Sequence, residues 1–157
     1  MSFTPPEVFN AMYAIDTNLL VYAHNKDAAY HKQAEAFIEQ VMNERDAQSR
    51  FQVCIPAQVL VEFLNVITWS KLEAPLSLAQ AIRIVQTYID SGVPIIHAQP
   101  TQLSTCLALL AVVTTRKKVF DVVLVATLKD AGIKGLYTAN TKDFVEFDFL
   151  NVVNPLA

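Results

Sequence analysis

Five short apolar runs, separated by longer stretches of helical period, constrain this chain more than any other feature. The runs are residues 12–15, 53–55, 93–97, 136–138 and 151–153. Each is too short for a stable helix, and their apolar character suits strands buried on both faces. Between the first two the period changes. Tyr30, Ala34, Phe37, Ile38, Val41 and Met42 share one helical face, with Lys32, Glu35, Glu39 and Asn43 off it, which predicts a helix over residues 28–45. Further helices are predicted over residues 58–71, apolar nearly all round, then 77–91, 101–115 and 121–131, with Gly92 and Gly132 as stops for the second and the last. Strands alternating with helices predict an α/β fold, a mostly parallel sheet covered on both faces. Functional groups of such a sheet gather beyond the C-terminal ends of its strands.

Composition narrows the function. With 157 residues, 53% hydrophobic and only 17% charged, the chain has enough apolar surface for one well-filled core and is read as a single domain over 1–157. Its three glycines form neither of the glycine-rich phosphate loops, which excludes the nucleotide-binding enzymes built on them. A net charge of −3 gives no overall basic field, so any nucleic-acid contact must be local. Cys54 and Cys106 stand apart among apolar neighbours and read as buried free thiols, which suits a reducing cytoplasm. Residues 1–11, with Pro5 and Pro6 and no positive charge, read as an extended arm rather than a signal peptide. The longest uncharged stretch is broken by Pro94, His97 and Pro100, so no membrane span is expected.

Three acids stand in apolar surroundings. Asp16 ends the first predicted strand and precedes Leu19, Leu20 and Val21, so it either caps the next helix or offers a carboxylate at a strand end. Glu62 lies among Val59, Leu60, Val61, Phe63 and Leu64. It belongs either to a solvated stripe with Gln58 and Asn65, four residues before and three after it, or to a cleft-facing site. Asp121 opens the run Val122-Val123-Leu124-Val125-Ala126 and is either a helix N-cap or a site carboxylate. His24, His31 and His97 lack the grouping of metal ligands and read as structural or surface residues.

The segment Ile15-Asp16-Thr17-Asn18-Leu19-Leu20-Val21-Tyr22-Ala23 resembles the opening motif of PIN-domain nucleases. Val61-Glu62-Phe63 resembles the second acidic motif of that family, and Phe120-Asp121-Val122-Val123-Leu124-Val125-Ala126-Thr127 the third. Thr138-Ala139-Asn140-Thr141-Lys142-Asp143-Phe144 resembles its final strand-end motif. Four motifs in this order at family-like spacing are specific where each alone is weak. One position departs: Asn140 stands where many members carry an aspartate, and the fourth acidic role passes to Asp143.

The resemblance implies a PIN-like three-layer fold with about five strands, in which Asp16, Glu62, Asp121 and Asp143 are metal-binding and catalytic and Thr17, Asn18, Thr138 and Asn140 support them. Carboxylates brought together repel, and oxygen-only ligands favour a hard ion, Mg²⁺ or Mn²⁺, over zinc. Such an ion supplies hydrolysis of a phosphodiester without a catalytic histidine or serine. The implied activity is RNA cleavage, and the implied subclass the VapC-type toxins, cytoplasmic homodimers held inactive by a cognate antitoxin. The basic run Arg116-Lys117-Lys118 either holds the RNA backbone or is a solvated loop. An uncharged, strongly apolar stretch over residues 101–115, with Leu103, Leu107, Leu110 and Val113, is expected to meet a second subunit or the core. A different class of function, a PIN fold that lost a ligand through Asn140 and only binds RNA or protein, competes with the nuclease. A phosphate-transferring hydrolase of another α/β family is disfavoured, because Asn18 stands where such enzymes place a second aspartate.

Overall fold

A computed structural model describes residues 12–114 and 118–157. The elements run β1 (Tyr13–Ile15), α1 (Thr17–His24), α2 (His31–Asn43), β2 (Val53–Pro56), α3 (Ala57–Ile67), α4 (Leu78–Asp90), β3 (Ile95–Ile96), α5 (Gln102–Val112), α6 (Val119–Asp130), β4 (Gly135–Tyr137), a 3-10 turn (Thr141–Phe144) and β5 (Asn151–Val153). The strands form one sheet in the order β3-β2-β1-β4-β5, every neighbouring pair parallel. The α/β architecture with its five parallel strands is the one expected from the alternation.

Burial explains the sheet. Every residue of β1, β2 and β4 is buried, and successive side chains of a strand point to opposite faces, so the centre of the sheet is covered on both. The covering helices fall into two groups: α1 packs on α2 and α3, α3 on α4, and separately α5 on α6. The edge strands β3 and β5 are less buried. Across the β1–β4 pair the chain runs close, because Tyr13 is in register with Gly135 and its ring stacks on Tyr137 at 4.5 Å between centroids. A Cβ at Gly135 would lie 2.6 Å from the Tyr13 ring, so only glycine admits this stack.

Several boundaries differ from the sequence reading for local reasons. The third strand is only Ile95–Ile96 because Pro94 has no N–H to give the ladder, although its carbonyl accepts from the Ile55 amide at 2.9 Å. Helix α3 stops at Ile67, four residues before the expected end, where the Thr68 hydroxyl turns back to the Leu64 carbonyl at 2.7 Å. Nor is α3 buried all round: Val59, Leu60, Phe63 and Ile67 face the core, but Val61 is 65% exposed. Helix α6 begins at Val119, two residues before Asp121. Ser77 and Gln80 form a full capping box on α4, while Gly92 and Gly132, both at positive φ, follow α4 and α6.

The connectivity sets the site. From β1 the chain moves outward through β2 to β3, then returns by α6 to place β4 on the other side of β1. Beside β1 the strand order therefore reverses, and in open parallel sheets that reversal opens a crevice beyond the strand ends.

Candidate active site

Asp16 follows β1 immediately and is buried. Its amide continues the sheet by donating to the Tyr137 carbonyl at 2.9 Å, while its side chain caps α1, Oδ1 accepting from the Thr17 amide at 2.8 Å. The two readings of Asp16 are thus compatible, because one carboxylate oxygen suffices for the cap. Oδ2 accepts from the Thr138 hydroxyl at 2.8 Å, with the Asn18 amide at 3.5 Å.

Thr138 follows β4 as Asp16 follows β1, and is fully buried. Its hydroxyl spends its proton on Asp16 and accepts from Asn18 Nδ2 at 3.2 Å and from the Asn140 amide at 3.1 Å. Asn18 in turn accepts from the Ala139 amide at 3.2 Å. A closed network of Asp16, Asn18, Thr138 and the Thr138–Asn140 backbone so fixes the strand-end carboxylate.

Glu62 enters from α3, its first residue following β2 directly. Its Oε2 accepts from the Thr17 hydroxyl at 2.9 Å and its Oε1 from Gln58 Nε2 at 2.9 Å. At Gln58 and Glu62 the polar stripe of α3 is tied down by hydrogen bonds and partly buried rather than freely solvated, while Asn65, one turn on, is exposed. Asp121 lies in the first turn of α6, where the helix dipole favours its charge. The N-cap of α6 is Lys118, which excludes the capping reading of Asp121.

The electrostatics tie these three acids together. Burial, opposed in part by the Thr138 and Thr17 hydrogen bonds and reinforced by the charges of Asp121 and Glu62, pushes the Asp16 carboxyl up to about 6. The donors to Asp16 and Glu62 are all neutral, three backbone or hydroxyl groups and two side-chain amides. Among the described residues, no three His, Cys, Asp or Glu side chains close into a ready ligand shell. The charges of Asp121 and Glu62 reach Asp16 nonetheless, and the hard oxygen donors of the three acids fit a divalent cation of the Mg²⁺ type by chemistry.

Asp143 stands apart. It lies in the 3-10 turn, its amide donating to the Asn140 carbonyl at 3.1 Å, and its charge is not among those acting on Asp16. Asn140 is exposed. Lys118 is exposed as well, and Arg116 and Lys117 lie outside the described residues, as does the arm over residues 1–11.

Sequence reasoning missed two links: the Thr17 hydroxyl holds Glu62, and Gln58 Nε2 also donates to the Phe120 carbonyl at 3.0 Å. The only advance signal was the four-residue spacing of Gln58 and Glu62. The cysteines and histidines are as expected. Cys54 and Cys106 are buried free thiols, and burial raises Cys54 to about 12. His24 pairs with the Tyr88 hydroxyl at 2.8 Å, and His31 with the Tyr22 carbonyl at 2.9 Å. Among the described residues no helix is long and apolar enough to cross a membrane.

Comparison with known proteins gives the family and the fold. A family model described as PIN domain matches residues 13–150. Ribonuclease VapC24 of Mycobacterium tuberculosis, strains CDC 1551 / Oshkosh and H37Rv, is 27% identical over 147 residues, spanning 92% of this chain and 97% of that protein. The crystal structure of Mycobacterium tuberculosis VapC20, a sarcin-ricin loop cleaving toxin, superposes with a TM-score of 0.64 at 14% identity, covering 86% of this chain and 95% of that one. A toxin-antitoxin complex from Klebsiella pneumoniae gives a TM-score of 0.60 at 18% identity, covering 91% and 97%. The two structural likenesses speak to the fold.

Proposed function

The chain belongs to the PIN-domain family, and from that premise we propose that it is a single-domain, metal-dependent endoribonuclease, the toxin of a toxin-antitoxin pair. The observation that carries this reading is Asp16: a buried carboxyl at a strand end, raised to about 6, with Glu62 and Asp121 both adding to the shift. Support for the toxin assignment comes from the likeness to ribonuclease VapC24 over nearly the full length of both proteins.

In this reading Asp16, Glu62 and Asp121 would hold Mg²⁺ or Mn²⁺, and Asp143, in the 3-10 turn after β4, would be a weaker fourth acid. Held there, such an ion would supply Lewis-acid chemistry for phosphodiester hydrolysis. The protein's own part is positioning. Thr138 and Asn18 fix the Asp16 oxygens, Thr17 and Gln58 fix those of Glu62, and the first turn of α6 carries Asp121. The RNA backbone meets Arg116, Lys117 and Lys118, which precede Asp121 in the chain.

Partners follow the same reading. On α5 the buried side is Cys106 and Leu109, while Leu103 and Leu107 are 71% and 58% exposed. That uncovered apolar side supports a homodimer. A cognate antitoxin is supported by the toxin-antitoxin complex among the structural neighbours, and the free thiols suit a cytoplasmic setting.

The test is cleavage of single-stranded RNA with Mn²⁺ and with EDTA. The expected result is EDTA-sensitive cleavage, abolished in a folded Asp121→Asn variant. Mn²⁺-independent cleavage, or full activity in that variant, overturns the assignment. RNA binding without cleavage or metal uptake would instead support the binding module argued from Asn140.

A further inference from the structure

Gln58, in the first turn of α3, is half-buried and commits both protons of its amide. One goes to Glu62 Oε1 at 2.9 Å, the other to the Phe120 carbonyl at 3.0 Å. Turning the amide over would set its oxygen against two acceptors, so its orientation follows from electrostatics. The consequence is unfavourable: Gln58 Oε1 is left buried with no hydrogen-bond partner among the described residues. An orphaned acceptor costs stability, and an apolar side chain of the same length would avoid that cost. The fold alone gives no reason for glutamine here.

The reason lies in what the two bonds join. Glu62 has its other oxygen held by the Thr17 hydroxyl of α1, so Gln58 completes a two-sided grip on that carboxylate. Phe120 immediately precedes Asp121 in the first turn of α6. A single amide thus spans from one acid to the backbone that carries another, across 62 residues of sequence.

We propose that Gln58 is a positioning residue that fixes Glu62 and the first turn of α6 relative to each other, and so sets the spacing of the Glu62 and Asp121 carboxylates for the divalent cation. This rests on the metal-dependent reading above. The residue touches neither the reacting atoms nor the ion; it acts through Glu62 and Asp121.

Calorimetry with Mn²⁺ alone tests it. Gln58→Met keeps the length, removes both donors and removes the orphaned oxygen. Its Mn²⁺ affinity should fall about tenfold, the effect usual for a group that orients a ligand, with Tm unchanged or raised and RNA cleavage recovering at saturating Mn²⁺. Gln58→Asn, which keeps the amide but is too short to span the gap, should lose affinity similarly and guards against a Met variant that does not fold. In a Glu62→Gln background the Met substitution should cost no further affinity, because the two residues act as one unit. Wild-type Mn²⁺ affinity in both folded variants overturns the proposal. So does an equal loss in the Glu62→Gln background, or a loss that tracks a falling Tm and persists at saturating Mn²⁺. Absence of Mn²⁺ binding by the wild type overturns the metal reading itself, and the role of Gln58 with it.

Discussion

The two sides of the crevice hold their acids by different means. On the sheet side, Asp16 is fixed by a backbone ladder bond, a helix cap and a buried hydroxyl, all within one residue of a strand end. On the helix side, Glu62 is held by side chains alone, Thr17 and Gln58, and Asp121 rides on the first turn of α6, with which Gln58 makes its second bond. Where the fold itself positions an acid, the cost appears as a raised carboxyl; where side chains position it, the cost appears as an orphaned amide oxygen. The sheet side should therefore respond to substitution in both stability and metal affinity, and the helix side mainly in affinity.

The largest effect is expected for Asp16→Asn. Asparagine still caps α1, but loss of the charge should lower Mn²⁺ affinity by more than the roughly 100-fold that a merely orienting residue can cost. Stability should move the other way. The folded carboxyl titrates near 6 against an ordinary 3.8, so between those values the folded state holds more protons than the unfolded one, and stability falls as pH rises through that window. In EDTA, the difference in unfolding free energy between variant and wild type should shift in favour of the variant by about 2 kcal/mol between pH 4 and pH 8. Urea titrations at the two pH values measure it. A pH-independent difference would mean that Asp16 is not strained, and the contrast between the two sides would fail.

Thr138→Val is next. The isosteric change removes the hydroxyl given to Asp16 Oδ2 and takes away the shorter of the Asn18 amide's two bonds and the side-chain acceptor of the Asn140 amide. Unfolding should become easier by about 1–3 kcal/mol, and Mn²⁺ affinity should drop by about tenfold or more. Its distinction from Gln58→Met is the point: Thr138 should cost both properties, Gln58 only one. Equal patterns in thermal melts and Mn²⁺ isotherms would erase the difference between fold-held and side-chain-held acids.

What the sequence made legible follows the same division. The end of β1, the helix after Asp16 and the alternation that yields a parallel sheet are local patterns, each readable within a dozen residues. The links Thr17 to Glu62 and Gln58 to Phe120 join positions 45 and 62 residues apart, and no local period encodes them. Capping preference misplaced the start of α6, because aspartate is a favoured N-cap while Lys118, which makes no side-chain cap bond, is not. Hydrophobicity alone overstated the burial of α3. Val61 is apolar yet exposed, on a helix whose core side is Val59, Leu60, Phe63 and Ile67.

The smallest effect is expected at Asp143, in the 3-10 turn after β4, whose charge is not among those acting on Asp16. The residue lies in a 3-10 turn anchored by the fully buried Phe144 beside it, so the turn itself should survive loss of the carboxylate. Its carboxylate is partly exposed, so solvent screens its charge. Asp143→Ala should then lower Mn²⁺ affinity less than tenfold, and less than either Asp16→Asn or Thr138→Val, with Tm nearly unchanged. The same calorimetric titration ranks all three. A loss at Asp143 equal to that at Asp16 would place a fourth acid on the ion with full weight, and the crevice would then have to close around the cation from the rim as well as from its two sides.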